Sequence, residues 1–268
     1  MEEHNIFKNN TFPTSPEEPH YFRLHVEPAK EPLRDIFENI GRQVLASAVI
    51  LILGFFLLNW SAYYQIGQSA WQRYFGTNEP SSLNELAVEV PNTETLTLPD
   101  DLNASAREIP DLNLEVIPND NRIVIPRINQ NIPIIRVSSE ALNNRDWDLL
   151  ESEMQEALKG GVVHYPGTGL PGQGTNTVIT GHSSYFPWDP GRFKDVFALL
   201  HQVEEGDKIV TYYQQKKYIY EVKEIKIILP DQLDVLSQTS KERLTLITCT
   251  PVGTNLKRLV VIAEPVSD

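Results

Sequence analysis

"TLITCTPVGTNLKRLVV", Thr245–Val261, is the stretch on which the reading of the whole chain turns. Two β-branched, apolar runs, RLTLITC and RLVVIA, flank TPVGTNLK, whose Pro251, Gly253 and Asn255 supply turn chemistry. The pattern predicts a β-hairpin. Positions 249 and 258 are equidistant from the loop centre, so direct pairing sets Cys249 opposite Arg258, with Cβ atoms about 5 Å apart. Lys257 is the competing cation, but alternation along the strand directs it to the other face. Cys249 is the only cysteine of the chain. Without an intramolecular disulfide partner it is either a small buried hydrophobe or a reactive thiol or intermolecular partner.

Working outward, the texture from about Asn119 to the end is that of many short strands. RIVIPRI and IPIIRV read as paired strands, and KIVTYYQQKKYIYEVKEIKII as a hairpin centred on Gln214–Lys217. GVVHYPGTGLPGQGTNTVITGHSS reads as strand, glycine- and proline-rich loop, then strand. DWDLLESEMQEALKGG predicts a helix capped by Asp146 or Asp148, with a stripe of Leu149, Leu150, Met154 and Leu158, stopped at Gly160. RFKDVFALLHQVEEGD predicts a second helix, and PDQLDVLSQTS a short helical connection. Strands with two or three small helices inserted imply a mostly β, mainly antiparallel barrel over 119–268.

The N-terminal part is different. Gln43 to Tyr64 contains an uncharged apolar run that matches the ~20 residues a helix needs to cross a bilayer. Trp60, Tyr63 and Tyr64 cluster at its far end, where amphipathic rings favour the headgroup level. A buried core helix would show a polar stripe, and a cleaved signal would not follow 42 residues of preceding chain. Residues 43–64 therefore read as an uncleaved transmembrane signal-anchor. Arg23, Lys30, Arg34 and Arg42 precede it and Arg73 alone follows closely, which sets the N-terminus in the cytoplasm and the barrel outside. Residues 1–42 read as a disordered tail. Residues 65–118, with nine acidic and two basic residues and recurring prolines, read as an extended acidic stalk. The net charge of −13 includes no basic face, which excludes nucleic acid as a partner.

A thiolate nucleophile needs a proton carrier. A guanidinium opposite it stabilises a thiolate and can hold a developing oxyanion. His4, His20 and His25 fall on the cytoplasmic side and His201 in the second predicted helix. His164 ends a strand before Tyr-Pro-Gly. His182 follows NTVITG, a strand ending in glycine that opens a long loop, and functional side chains often project from such a position.

NTVITGHSS, TLITCTP and LKRLVV, in this order and after one membrane anchor, resemble the sortase family of cysteine transpeptidases. The likeness runs from about Asn119 to Pro265 and takes in GGVVHYPGTGLPG and GDKI. It implies a closed barrel with Cys249 as nucleophile, His182 as general acid/base, Arg258 as clamp on substrate or oxyanion, and Thr248 beside the substrate. It implies that His164 belongs to a loop with no catalytic role. The reaction implied is cleavage of an LPxTG-like sorting signal through a thioacyl-enzyme and transfer to an amine, with no cofactor and no metal. Partners would be surface proteins bearing the signal and an amine acceptor, either a cell-wall peptide or a pilin lysine. The absence of a C-terminal apolar segment makes this chain the enzyme and not the cargo. Two other readings are a pilin-polymerising member and a catalytically silent, membrane-anchored binding module.

The loop Ser183–Phe193 departs from the family pattern in carrying Tyr185, Phe186, Trp188 and Phe193 with Pro187 and Pro190. Phe193 is expected to pack beneath it, and Tyr185 and Trp188 to contact substrate. Its Asp189-Pro190 pair lies downstream of His182, whereas the lid of the pilus-building branch lies upstream of the barrel. Asp231, Asp234 and Glu242 are too few acids for the calcium site of some members.

Overall fold

A computed structural model describes residues 33–76, 82–87 and 117–266. The chain divides into two compact units, Met1–Ala48 and Val49–Asp268. Of the first, helical residues 33–48 are described, so helix begins ten residues before the expected anchor. Helix α1 runs Leu33–Leu58 and, after Asn59, α2 runs Trp60–Phe75. Within α1, Arg34–Leu58 is long and apolar enough to cross a membrane by length and composition, its most apolar 18-residue stretch having a mean hydropathy of 2.0.

The second unit is built on a closed barrel of eight strands. They are β1 Arg122–Ile125, β2 Gln130–Arg136, β3 Val162–His164, β4 Asn176–Thr180, β5 Lys208–Tyr213, β6 Lys216–Ile228, β7 Arg243–Thr250 and β8 Lys257–Pro265. Their order around the barrel is β1-β2-β3-β4-β7-β8-β6-β5, closed by β1 against β5. Only β2–β3 and β4–β7 pair in parallel. Ile123, Ile132, Phe197, Ile209, Tyr220 and Leu244 are among the buried side chains that fill the interior. The β5–β6 hairpin turns at Gln214 and Gln215, both with positive φ (50° and 59°). Two such residues form the turn whose twist matches that of the flanking strands.

Two short helices precede β3, α3 (Glu140–Asn143) and α4 (Trp147–Leu158). Asp146 caps α4 by accepting the Leu149 N–H at 3.0 Å. Leu150, Met154 and Leu158 are buried, but Leu149 is exposed and does not belong to the stripe. The second expected helix does not form. Residues 195–203 instead make successive i→i+3 bonds, with 3-10 geometry only at Leu200–Gln202. Five consecutive residues, Val196–Leu200, are buried, so the segment is enclosed on all sides and has no solvent face to give a helix.

Much of the expected stalk lies outside the described residues. Its first part is helical, within α2, and Ser82–Ala87 is a short 3-10 helix. Ala87, with Leu83 and Leu86, packs on Val124, Val210 and Tyr212. Apolar residues at i, i+3 and i+4 give those six residues a face to bury, which an extended stalk lacks.

Candidate active site

The site is assembled where β4, β7 and β8 lie side by side. Strands β7 and β8 pair antiparallel in the register expected from the loop midpoint, with Cys249 directly opposite Arg258 and Thr250 opposite Lys257. Strand β4 pairs in parallel with β7 from Asn176↔Arg243 to Thr180↔Ile247. Continuing that register sets Gly181 beside Thr248 and His182 beside Cys249. Two hydrogen bonds extend the pairing past the strand end: Gly181 N–H donates to Ile247 O at 3.2 Å, and Thr248 Oγ1 donates to Gly181 O at 2.8 Å. Gly181 is needed for close approach, since a Cβ there would lie 2.7 Å from the Phe197 ring. Phe197 N–H in turn donates to His182 O at 2.9 Å.

The lower end of this three-strand platform is fixed by a buried amide. Asn176 Nδ2 donates to Val235 O (2.9 Å) and Ser237 O (3.0 Å), while its Oδ1 accepts from Thr245 Oγ1 (2.8 Å) and Arg243 Nε (3.2 Å). Every hydrogen-bonding position of the side chain is used, which is the condition for a buried polar group to rigidify and not to cost stability. It ties β4, β7 and the segment before β7 together.

Cys249, His182, Arg258 and Thr248 all line one groove of about 280 Å³. Its walls come from α4, through Glu151, Met154 and Gln155, and from the β6–β7 connection, through Leu229, Leu233 and Val235. None of these wall residues stands out in the sequence as part of the site, and Met154 reads there only as a member of the helix stripe. The available signal was the i,i+4 pair Glu151 and Gln155 on α4, joined by a 2.8 Å hydrogen bond. A larger hollow of about 760 Å³, lined by Gln72, Arg127 and Asp207 among others, contains none of the thiol, imidazole or guanidinium groups.

The electrostatics of His182 have opposing contributions. Burial pushes its imidazole below the ordinary value, and the carboxylates of Asp189 and Glu151 partly oppose this. Its ring nitrogens make no hydrogen bond among the described residues, and its face stacks on Tyr185 with centroids 4.3 Å apart. The Arg258 guanidinium is half-buried, and its Nη1 donates to Asn255 O (3.0 Å) and Lys257 O (3.2 Å).

The remaining expected site residues lie farther out. Tyr185 stacks on the His182 ring. Trp188 is 69% exposed and stacks on Phe186 at 5.0 Å. Neither lines the groove among the described residues. Phe193 packs against the main core, with the Arg192 guanidinium over its ring at 5.2 Å. His164 is the last residue of β3 and not part of a loop, because its backbone pairs with Ile179. It is buried, and its Nε2 is 2.7 Å from Gly169 O. His201 is exposed, with Nδ1 3.0 Å from Ala198 O. Glu242 is committed to the fold, accepting from Gly172 N–H at 2.8 Å and Tyr220 Oη at 2.7 Å.

Comparison with known proteins agrees with this barrel. The family described as Sortase domain matches residues 123–266, more than half of the chain. Sortase A of Bacillus anthracis is 27% identical over 143 residues, covering 53% of this chain and 58% of that protein. Sortase D of Bacillus subtilis is 26% identical over 147 residues, covering 53% of this chain and 62% of that protein. Sortase A of Streptococcus agalactiae is 26% identical over 212 residues, covering 78% and 74%. The chain thus spans less than two thirds of the first two. Among solved structures, sortase C1 of GBS pilus island 1 is similar with 34% identity and a TM-score of 0.44, over 55% of this chain and 64% of that one.

Proposed function

Because the chain belongs to the sortase family, we propose that it is a cysteine transpeptidase acting on a sorting signal of the LPxTG type. The observation that carries this reading is the convergence of three groups on one groove. Cys249 and Arg258 face each other across β7 and β8, and His182 leaves β4 beside the thiol.

In this reading Cys249 Sγ, as thiolate, attacks the carbonyl carbon of the Thr–Gly peptide bond. The carbonyl electrons move onto oxygen, where the Arg258 guanidinium and the polar groove edge stabilise the charge. Collapse breaks the C–N bond, and His182 delivers its proton to the departing amine. A thioester to Cys249 remains. An incoming amine then loses its proton to His182 as its nitrogen attacks the thioester, and the thiolate leaves. The covalent intermediate divides one difficult amide exchange into two easier steps. An imidazole with no partner on either nitrogen among the described residues is suited to serve both amines in turn.

The remaining parts follow the same proposal. The apolar part of α1 that precedes Phe55 anchors the chain in the membrane with its N-terminus inside, and the barrel, with the helical segment docked on it, lies outside. The partners are surface proteins carrying the signal and an amine acceptor from a cell-wall peptide or a pilin.

The test is to incubate the full chain with a panel of sorting-signal peptides and detect the thioacyl adduct by intact mass. Amine acceptors of both classes are then added and the transferred product is identified. An adduct on Cys249 that is released by an amine is expected. Peptide cleavage that persists unchanged in Cys249→Ala would remove the reading.

A further inference from the structure

One stripe of the helical segment lies against the barrel within the second unit. Phe55, Asn59, Ala62, Ile66 and Ser69 recur every three or four residues, and all are withdrawn from solvent, Ala62 completely. Such spacing is one face of a helix. Ile66 packs against the barrel core. Gln202 joins the same face through two bonds, donating from Nε2 to Ser69 Oγ at 2.8 Å and accepting from Arg73 Nη2 at 3.0 Å. The C-terminal half of α2 is therefore fixed to the barrel independently of what its other end touches.

That other end meets the loop between Cys249 and Arg258. Tyr63 Oη donates to Val252 O at 3.2 Å. A Cβ on Gly253 would lie 2.8 Å from Phe55 Cζ and 2.9 Å from Asn59 Cγ, and Gly253 has a φ of +87°. Only glycine fits this position, both for its backbone angle and for the closeness of the helix. From the opposite side Gly253 N–H donates to Ser184 Oγ at 3.0 Å, two residues beyond His182. The loop is held between the helix and the His182 loop.

The loop also behaves as one body. Thr254 donates to Pro251 O from both its N–H (3.0 Å) and its Oγ1 (2.8 Å). Arg258 Nη1 is bonded to Asn255 O within the same loop. Displacing the Val252 peptide therefore shifts the carbonyl that orients the guanidinium. We infer that Tyr63, seated on Phe55 and Asn59, is a positioning residue that sets the β7–β8 loop and through it the placement of Arg258 against Cys249 and His182. The anchor helix is thereby part of the support of the site as well as a tether. The inference rests on the transpeptidase reading only for its kinetic readout.

The experiment uses the full chain in detergent micelles and compares Tyr63→Phe with Tyr64→Phe, a change at the exposed neighbouring tyrosine. Hydrogen exchange at the Gly253 and Thr254 amides should speed up by about three- to tenfold in Tyr63→Phe, the scale of one hydrogen bond. Exchange in the barrel strands and the melting temperature should stay at wild-type values. With a sorting peptide, kcat should fall by a similar factor while KM is held, since the α4 and β6–β7 walls are untouched. Unchanged exchange at both amides, or the same acceleration in Tyr64→Phe, overturns the inference. If the wild-type chain processes no peptide at all, the transpeptidase reading fails while the exchange comparison still decides the role of Tyr63.

Discussion

Strands β3 and β4 pair antiparallel, and each leads into a histidine followed by a loop rich in turn residues. The loop after His164 folds back on its own histidine: Gly169 O is 2.7 Å from Nε2 and Thr168 Oγ1 is 3.3 Å from it. The loop after His182 leaves both ring nitrogens unengaged among the described residues and supplies an aromatic stack and the Asp189 carboxylate instead. Burial lowers the proton affinity of both rings. The two histidines differ in whether the adjoining loop uses up the ring's hydrogen-bonding capacity, and on the proposed function this is what separates a structural histidine from a catalytic one.

The strongest way to break this comparison is to exchange the consequences of mutation. His182→Gln should lower peptide turnover by about a hundredfold or more, the usual scale of general acid–base catalysis, with an unchanged melting temperature. His164→Leu should leave kcat within about twofold but cost about 1–3 kcal/mol, since Gly169 O loses its buried partner. Equal catalytic losses for the two variants would erase the distinction. Turnover and thermal unfolding of both proteins provide the measurement.

Next in size is Arg258→Lys. The guanidinium holds Asn255 O and Lys257 O from a residue paired with Cys249 across the strands, and an ammonium cannot reproduce that planar fork. A loss of about tenfold or more in kcat/KM is expected, on the scale of a charge-assisted hydrogen bond. Near-wild-type turnover would reduce Arg258 to a diffuse positive charge.

The pH dependence of stability sharpens the comparison further. Both imidazoles have lower pKa values in the fold than their ordinary 6.5, so below that value the unfolded chain binds protons that the fold resists. Their contribution is fully present above about pH 6.5 and declines as pH falls through the folded values. Unfolding free energy measured from pH 7.5 to about pH 5 should therefore drop on the acid side, and less steeply in His164→Leu. An equal acid slope in that variant would mean that His164 is not destabilised as a cation.

Trp188→Ala is the smallest effect. A side chain that is 69% exposed contributes little to stability, so the melting temperature should stay within about 2 °C. If the Phe186–Trp188 stack meets the distal part of the peptide, kcat/KM should fall about threefold, a loss of less than 1 kcal/mol. A large drop in melting temperature with intact kinetics would remove the stack from recognition.

What could be read in the sequence was whatever is decided locally. The Cys249–Arg258 register follows from the symmetry of one loop, the α4 cap from Asp146 and its spacing to Leu149, and the β5–β6 turn from a polar centre between alternating strands. Features set by distant contacts were not legible. Val196, Phe197, Leu200 and Val203 have helical spacing, yet the consecutive residues Val196–Leu200 are all enclosed in the core and follow its shape instead. Nor does composition distinguish an α2 that docks on the barrel from a tether, because its contact face mixes Ala62 and Ser69 with a single larger apolar residue, Ile66, too few to announce an apolar stripe. The groove walls on α4 and the β6–β7 connection are neighbours only once the barrel closes.

The parallel pairing of β4 with β7 has a kinetic consequence. Thr180 and Ile247, joined at the rim of the site, are 67 residues apart in the chain, with the whole β5–β6 hairpin between them. Contacts of such separation are entropically costly to close and are made slowly. The local hairpins can form early, but thiol and imidazole meet only at the end of folding. On the proposed function, the chain would thus pass through its incomplete, aggregation-prone stages before it acquires a reactive centre, and the centre itself would report that folding is finished.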